Sequence, residues 1–207
     1  MVHIITAANR PEYAAQIDEM HQDRKRVFVD TLKWRVPVVG GKYEIDQFDD
    51  ADAIYLLESE PKTGKHLASL RLLASTKPNL LRDVFPHLCS VPLPVGEDVM
   101  ELTRFCVSPD VEKLDAVNLM NRMWSAAVEY AMLFGIERYT CISHRQFLSV
   151  MLSAGWGAEP LGDLKECDGQ LIGAILFKVT PATLRECRRR YGYRGPVLEV
   201  LPQAEAA

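Results

Sequence analysis

Three charged residues interrupt apolar runs that otherwise read as strands. Arg71 stands in Leu67-Ala-Ser-Leu-Arg-Leu-Leu73, and Glu101 and Arg104 stand in Val99-Met-Glu-Leu-Thr-Arg-Phe-Cys-Val107. A charge at a core position is costly unless it is paired, and sites of chemistry are where such residues collect. A buried carboxylate can take a proton from a nucleophile, and a guanidinium can hold carboxylates by forked hydrogen bonds. Arg24 belongs with them. The stripe Tyr13, Ile17, Met20, Val27, Phe28 follows helical spacing, and Arg24 occupies a place on it where a hydrophobe is expected. Asp46 and Asp49 add two acids, so Arg24, Arg71 and Arg104 against Asp46, Asp49 and Glu101 form a set that is neutral as a network. In a regular strand positions 101 and 104 face opposite ways. A bulge between them would bring both to one side.

The elements that must carry these residues follow from period and punctuation. Val2–Ile5 reads as a short strand, and Asn9 as the cap of the first helix, with Pro11 in its first turn. Residues 34–52 have no clear period and contain Pro37, Gly40 and Gly41, which makes a long loop of the kind that is usually functional. Residues 53–58 and 66–73 form a hairpin around Pro61-Lys-Thr-Gly64. A short helix at 80–85, a strand at 99–107 and a strong helix at 115–134 stopped by Gly135 follow. Then come a strand at 138–143, a helix at 144–154, a buried strand at 171–179 and a helix opened by Pro181. The residues after about 202 are expected to fray. This order gives an α/β fold, a mixed central sheet with helices on both faces in three layers, with a right-handed crossover through helix 115–134.

Composition narrows the function. The 207 residues, 48% of them hydrophobic, suit one domain over 1–207. With 24 Lys+Arg against 28 Asp+Glu there is no field to attract nucleic acid or an anionic membrane. No apolar run spans a bilayer and no signal peptide opens the chain, so a cytoplasmic protein, expected to be a monomer, is the reading. The five cysteines form no C-x-x-C pair and no zinc pattern, which implies reduced thiols and no metal.

Taken in order, Arg24-Lys-Arg-Val-Phe28, Trp34, Asp46-Gln-Phe-Asp49, Leu70-Arg71-Leu72-Leu73 and Glu101-Leu-Thr-Arg104-Phe105 resemble the signature of the acyl-homoserine-lactone synthases, the autoinducer synthases of quorum sensing. Asp83-Val-Phe85-Pro and Ser153-Ala-Gly-Trp156 support the likeness, which covers roughly residues 1–180. Every signature position matches. The resemblance implies an N-acetyltransferase-like fold. It implies transfer of an acyl group from acyl carrier protein, or alternatively from acyl-CoA, to the amine of S-adenosylmethionine. Lactonisation with release of methylthioadenosine then follows. S-adenosylmethionine is a substrate here, and no cofactor is expected.

On that reading Glu101 is the base and Arg104 its catalytic partner. Arg24, Phe28, Trp34, Arg104 and Phe105 bind S-adenosylmethionine, with Phe28 and Trp34 offering aromatic faces to adenine or the sulfonium. Asp46, Asp49 and Arg71 form the ion-pair network, and the loop bearing the two acids folds over the nucleoside. Phe105 and Cys106 N–H groups are placed to stabilise an oxyanion if their strand leaves its ladder. An apolar cleft for the acyl chain would be walled by Leu102, Met123, Trp124, Ile142, Phe147 and Leu176, with Thr140, or alternatively Ser143, near a 3-oxo group. Arg185, Arg188, Arg189, Arg190 and Arg194 are either a docking patch for an acidic carrier or a solvated helix end. Three competing readings are an ordinary acyl-CoA N-acyltransferase, a thiol acyltransferase built on Cys106 with His144 or His66, and a non-catalytic binding protein. The first is disfavoured by the absence of glycine from Cys106 to Asp115, where a pyrophosphate loop would lie.

Overall fold

The computed structural model describes residues 1–153 and 157–199. Val2–Ile5 (β1) leads through a short 3₁₀ turn into Ala14–Arg24 (α1), which runs on as π-helix over Lys25–Thr31. The 34–52 segment is loop, interrupted by the two-residue strands Val38–Val39 (β2) and Tyr43–Glu44 (β3), which pair with each other. Ile54–Ser59 (β4) and His66–Ala74 (β5) form the expected hairpin. Leu80–Asp83 (α2), Val99–Val107 (β6), Lys113–Phe134 (α3), Arg138–His144 (β7) and Arg145–Ser153 (α4) follow. The chain then forms Glu159–Pro160 (β8), Lys165–Cys167 (β9), Gln170–Lys178 (β10), Pro181–Tyr191 (α5) and Leu198–Glu199 (β11).

One nine-stranded sheet has the order β11-β1-β4-β5-β6-β7-β10-β8, with β9 on β10. It is mixed: β6 and β7 are parallel across the α3 crossover, β1 and β11 are parallel, and the other pairs are antiparallel. Leu119, Met123, Ala127 and Val128 of α3 pack on Leu70, Leu72 and Leu102 on one face, joined by Leu148 and Met151 of α4 and Cys187 of α5. On the other face Met20 of α1 covers Ile5, Tyr55, Leu57 and Leu73, and Leu81 of α2 lies with Leu88, Leu161 and Ile172. Three layers result, as the alternation of elements predicts. Gly135 ends α3 at φ +71°, a conformation that glycine adopts without strain.

Some elements differ from expectation. Asn9 does not cap the helix; its amide bonds back to the Thr6 N–H and the Ile4 carbonyl, tying the turn to β1. The strands β2, β3, β8, β9 and β11 have two or three residues each, too few to show a period in sequence. The Trp156 likeness and the tail after about 202 lie outside the described residues.

The expected bulge is present. Ser69 pairs with Cys106 and Arg71 with Thr103, so Leu70 alone opposes Arg104 and Phe105. Arg104 takes φ +50°, a left-handed value that costs a side-chain-bearing residue roughly 1–2 kcal/mol. Beyond it the alternation is reset: Leu102, Phe105 and Val107 all pack toward α3, while Thr103 and Arg104 bond groups on the α1 side. On its other edge β6 pairs with β7 only from Val99↔Arg138 to Leu102↔Cys141. The two strands then part and leave a wedge open at their ends.

Candidate active site

The bulge delivers Arg104 to a closed ring of alternating charges. Arg24 donates from Nε to Glu44 Oε2 at 2.6 Å and forks onto Asp49 with both Nη atoms at 2.8 Å. Arg71 forks onto Asp46 at 2.6 and 3.0 Å, reaches Asp49 at 2.8 Å, and donates from Nε to Thr103 Oγ1 at 3.0 Å. Arg104 closes the circuit, with Nε to Glu44 Oε1 at 3.0 Å and Nη2 to Asp46 Oδ2 at 2.6 Å. The ring thus reads Arg24, Glu44, Arg104, Asp46, Arg71, Asp49 and back to Arg24. Tyr55 donates its hydroxyl to Asp49 at 2.8 Å. Arg24, Arg71 and Glu44 are at most 1% exposed, so only this mutual pairing makes their burial tolerable. Burial opposes ionisation of Asp46 and Asp49, but bonds to Arg71 and Arg24 outweigh it and hold both carboxyls below the usual range.

The ring corrects one expectation. Its third acid is Glu44, and Glu101 stands outside it. Glu44 and Asp46 are two residues apart, the spacing that puts both on one side of an extended chain; that was the available signal. Glu101 is fully buried and accepts two backbone hydrogen bonds at the start of α2, from Leu80 N–H at 2.8 Å and Leu81 N–H at 3.0 Å. Burial raises its pKa to about 7, against the opposing effects of those two N–H groups and the charges of Arg71 and Arg104. A carboxylate poised near neutrality is suited to general base work.

Two cavities meet beside it. The smaller, of about 330 Å³, is bounded by Glu101, Asp46, Leu80 and Phe85. The larger, of about 870 Å³, is bounded by Val27, Leu102, Phe105, Trp124 and Phe147 and occupies the wedge between β6 and β7. Trp34, Thr103, Arg104, Ser143 and His144 line both. Trp34 lies flat on Phe28, with ring centres 4.8 Å apart, and the Arg104 guanidinium sits 5.8 Å over the Phe28 ring. Trp124 forms the floor of the larger cavity, stacked between Phe105 at 5.4 Å and Phe147 at 6.4 Å.

Residues 9–184 match the model of the autoinducer synthase family. The chain belongs to that family.

This autoinducer synthase is 32% identical to an isovaleryl-homoserine lactone synthase of Bradyrhizobium diazoefficiens over 209 residues, covering 100% of this chain and 92% of that one. Among solved structures it is similar to BjaI, a CoA-dependent acyl-homoserine lactone synthase with SAM and isopentyl-CoA, at TM-score 0.87 and 27% identity over 96% of this chain and 92% of BjaI. A putative N-acetyltransferase from Lactobacillus plantarum shares the fold at TM-score 0.53 and 18% identity, covering 86% of this chain and 99% of that one. The family is one of acyltransferases, and the N-acetyltransferase-like fold is as the resemblance implies.

Several wall assignments change. Leu102, Trp124, Ile142 and Phe147 line the larger cavity, but Met123, Thr140 and Leu176 do not. Met123 is sealed in the α3 core, Thr140 is 3% exposed, and Leu176 packs against the cluster under α2. Ser143, the alternative hydroxyl, lines both cavities. Of the residues assigned to S-adenosylmethionine, Arg24 lines neither cavity because the ring consumes it, and Phe105 faces the Trp124 floor. Phe28 lines the larger cavity only. Within the acidic loop, Asp46 borders the smaller cavity, whereas Asp49 turns to the opposite side of the ring.

A thiol mechanism finds no footing in the autoinducer synthase. Cys106 is 1% exposed and burial pushes its pKa far up, so the thiolate is not available. His66 is held between Asp23 at 2.9 Å and Ser69 at 3.0 Å. In the basic cluster, Arg188 pairs with Glu129 and Arg189 with Glu186. Among the described residues no group of three His, Cys, Asp or Glu is arranged to hold a metal ion. No described helix is long and apolar enough to cross a membrane.

Proposed function

We propose that this autoinducer synthase acylates the amine of S-adenosylmethionine from a pantetheine thioester and then closes the homoserine lactone, releasing methylthioadenosine. The observation that carries the reading is the bulge in β6, which puts Glu101 and Arg104 on one cavity wall where it meets the apolar cavity in the wedge. The smaller cavity takes the S-adenosylmethionine, with the Trp34 face toward the sulfonium. The thioester arm enters the wedge and leaves the acyl chain among Val27, Phe105, Trp124 and Phe147.

Glu101 takes a proton from the ammonium, directly or through a water, and frees the nitrogen lone pair for attack on the thioester carbonyl. The oxyanion forms beside the stretch of β6 that has left β7, where the Phe105 N–H at the bulge is the available donor, Cys106 being still paired with Ser69 of β5. Lactonisation needs no base: the carboxylate attacks the carbon next to the sulfonium and methylthioadenosine departs.

Acyl-CoA with a short branched acyl chain is the donor favoured by the likeness to the isovaleryl-homoserine lactone synthase and to BjaI. Acyl carrier protein is the second reading. It is favoured by the start of α3, where Asp110 and Glu112 stand in a segment without glycine, ill suited to a pyrophosphate. The test is purified protein with S-adenosylmethionine and either isovaleryl-CoA or acyl carrier protein bearing the same group, read by mass spectrometry of lactone and methylthioadenosine. Product from one carrier only decides the donor; no product from a broad panel of either defeats the reading.

A further inference from the structure

Acylation of an ammonium strips two protons from nitrogen. Glu101 is fully buried with both oxygens already held by N–H groups, and it accepts one proton at a time. The second must leave the nitrogen as the amide forms, and the departing thiolate needs a proton of its own. Resting on the function proposed above, we propose that His144 carries that second proton from nitrogen to sulfur.

The placement supports this. His144 ends β7, beyond the last β6–β7 pair at Leu102↔Cys141, on the open side of the wedge. Its ring lines both cavities, together with Thr103 and Arg104, and so stands where an amine from one side meets a thioester from the other. The ring leans on Trp34 at 5.1 Å, and its Nδ1 is buried without a hydrogen-bond partner among the described residues. The indole Nε1 of Trp34 is in the same condition. A bound substrate that separates the two rings supplies what both lack. Burial lowers the His144 pKa, which keeps the imidazole neutral and able to accept. The other histidines are differently engaged: His21 on the Glu44 carbonyl, His66 between Asp23 and Ser69, His3 on Tyr13 and Glu199, and His87 exposed beside Phe85.

The step balances. Glu101 removes the first proton and the nitrogen attacks, forming the C–N bond. His144 takes the second proton from the cationic nitrogen of the adduct. The oxyanion collapses, the C–S bond breaks, and the imidazolium returns its proton to sulfur, leaving amide, free thiol and one proton on Glu101.

A leaving-group series tests it in the full chain. The same acyl group is presented on an alkyl thiol, N-acetylcysteamine, and on an aryl thiol, thiophenol, whose thiolate leaves without help. Single-turnover rates of methylthioadenosine and lactone formation are measured with S-adenosylmethionine. His144→Gln, and His144→Phe to keep the ring contact with Trp34, are expected to lose about 100-fold with the alkyl donor and about 10-fold with the aryl donor, which spares the sulfur its proton but still leaves the nitrogen's to be removed. Equal losses on both donors, or none on either, overturn the assignment while leaving the proposed function intact. No lactone from the unaltered protein with any donor removes both.

Discussion

Arg104 and Glu44, 60 residues apart in the chain, meet at 3.0 Å and close a six-membered ring of buried charges. The contact joins the bulge of β6 to the strand β3 in the loop over the site. It lets Arg104 keep a left-handed backbone, because Glu44 and Asp46 together hold its guanidinium. The ring is neutral, and each member bridges two of opposite sign, so it aligns the loop with the sheet without leaving a charge unpaired.

Removing one member of such a ring is costly because its neighbours stay buried. Glu44→Gln is expected to lower stability by about 3–5 kcal/mol, whereas Asp50→Asn at the exposed loop changes it by less than about 0.5 kcal/mol. Urea unfolding midpoints of the two variants measure the difference. An unchanged midpoint for Glu44→Gln would show that the ring does not hold the loop in place.

Glu101 gives a pH dependence of definite sign. Its pKa rises from the ordinary 4.5 of a glutamate to about 7 in the fold, so the folded state binds the proton more tightly than the unfolded chain. The stabilisation is fully present below about 4.5 and is lost as pH rises through about 7. In size it is about 3 kcal/mol over that window. Glu101→Gln should flatten the fall of stability between these limits. In the unaltered protein, acyl transfer should rise with pH around 7, and Glu101→Ala should abolish that limb. A variant that keeps both the limb and the rate would remove Glu101 as the base.

The Trp124 floor sets how deep an acyl chain can reach. Trp124→Ala opens the larger cavity between Phe105 and Phe147. Each added methylene that finds apolar contact there contributes about 0.8 kcal/mol. The product profile is therefore expected to move to longer chains, with a stability loss of about 3–5 kcal/mol. Lactone mass spectra from competing acyl donors read the shift, and an unchanged preference would place the chain elsewhere.

Much of this was written locally. The helical stripe of α1, the 22-residue α3 closed by Gly135, and the apolar runs of β5 and β6 carry periods that any strand or helix needs to bury one face. Arg24, Arg71, Glu101 and Arg104 announced themselves by breaking those periods, and the spacing of the last two left them on one side only if a bulge came between them, which the structure shows. Partner choice was not local. Ring closure draws on four separate segments, and a two-residue strand such as β3 has no period to betray Glu44. Glu101 left the ring because the first N–H groups of α2, 20 and 21 residues earlier in the chain, reach its oxygens. The cavities likewise depend on where β6 and β7 part, a property of two strands and not of either. Sequence determined which residues had to find partners, since burying an unpaired charge is prohibitive. Only the tertiary structure decided which partners they found, because that depends on distances between segments remote in the chain.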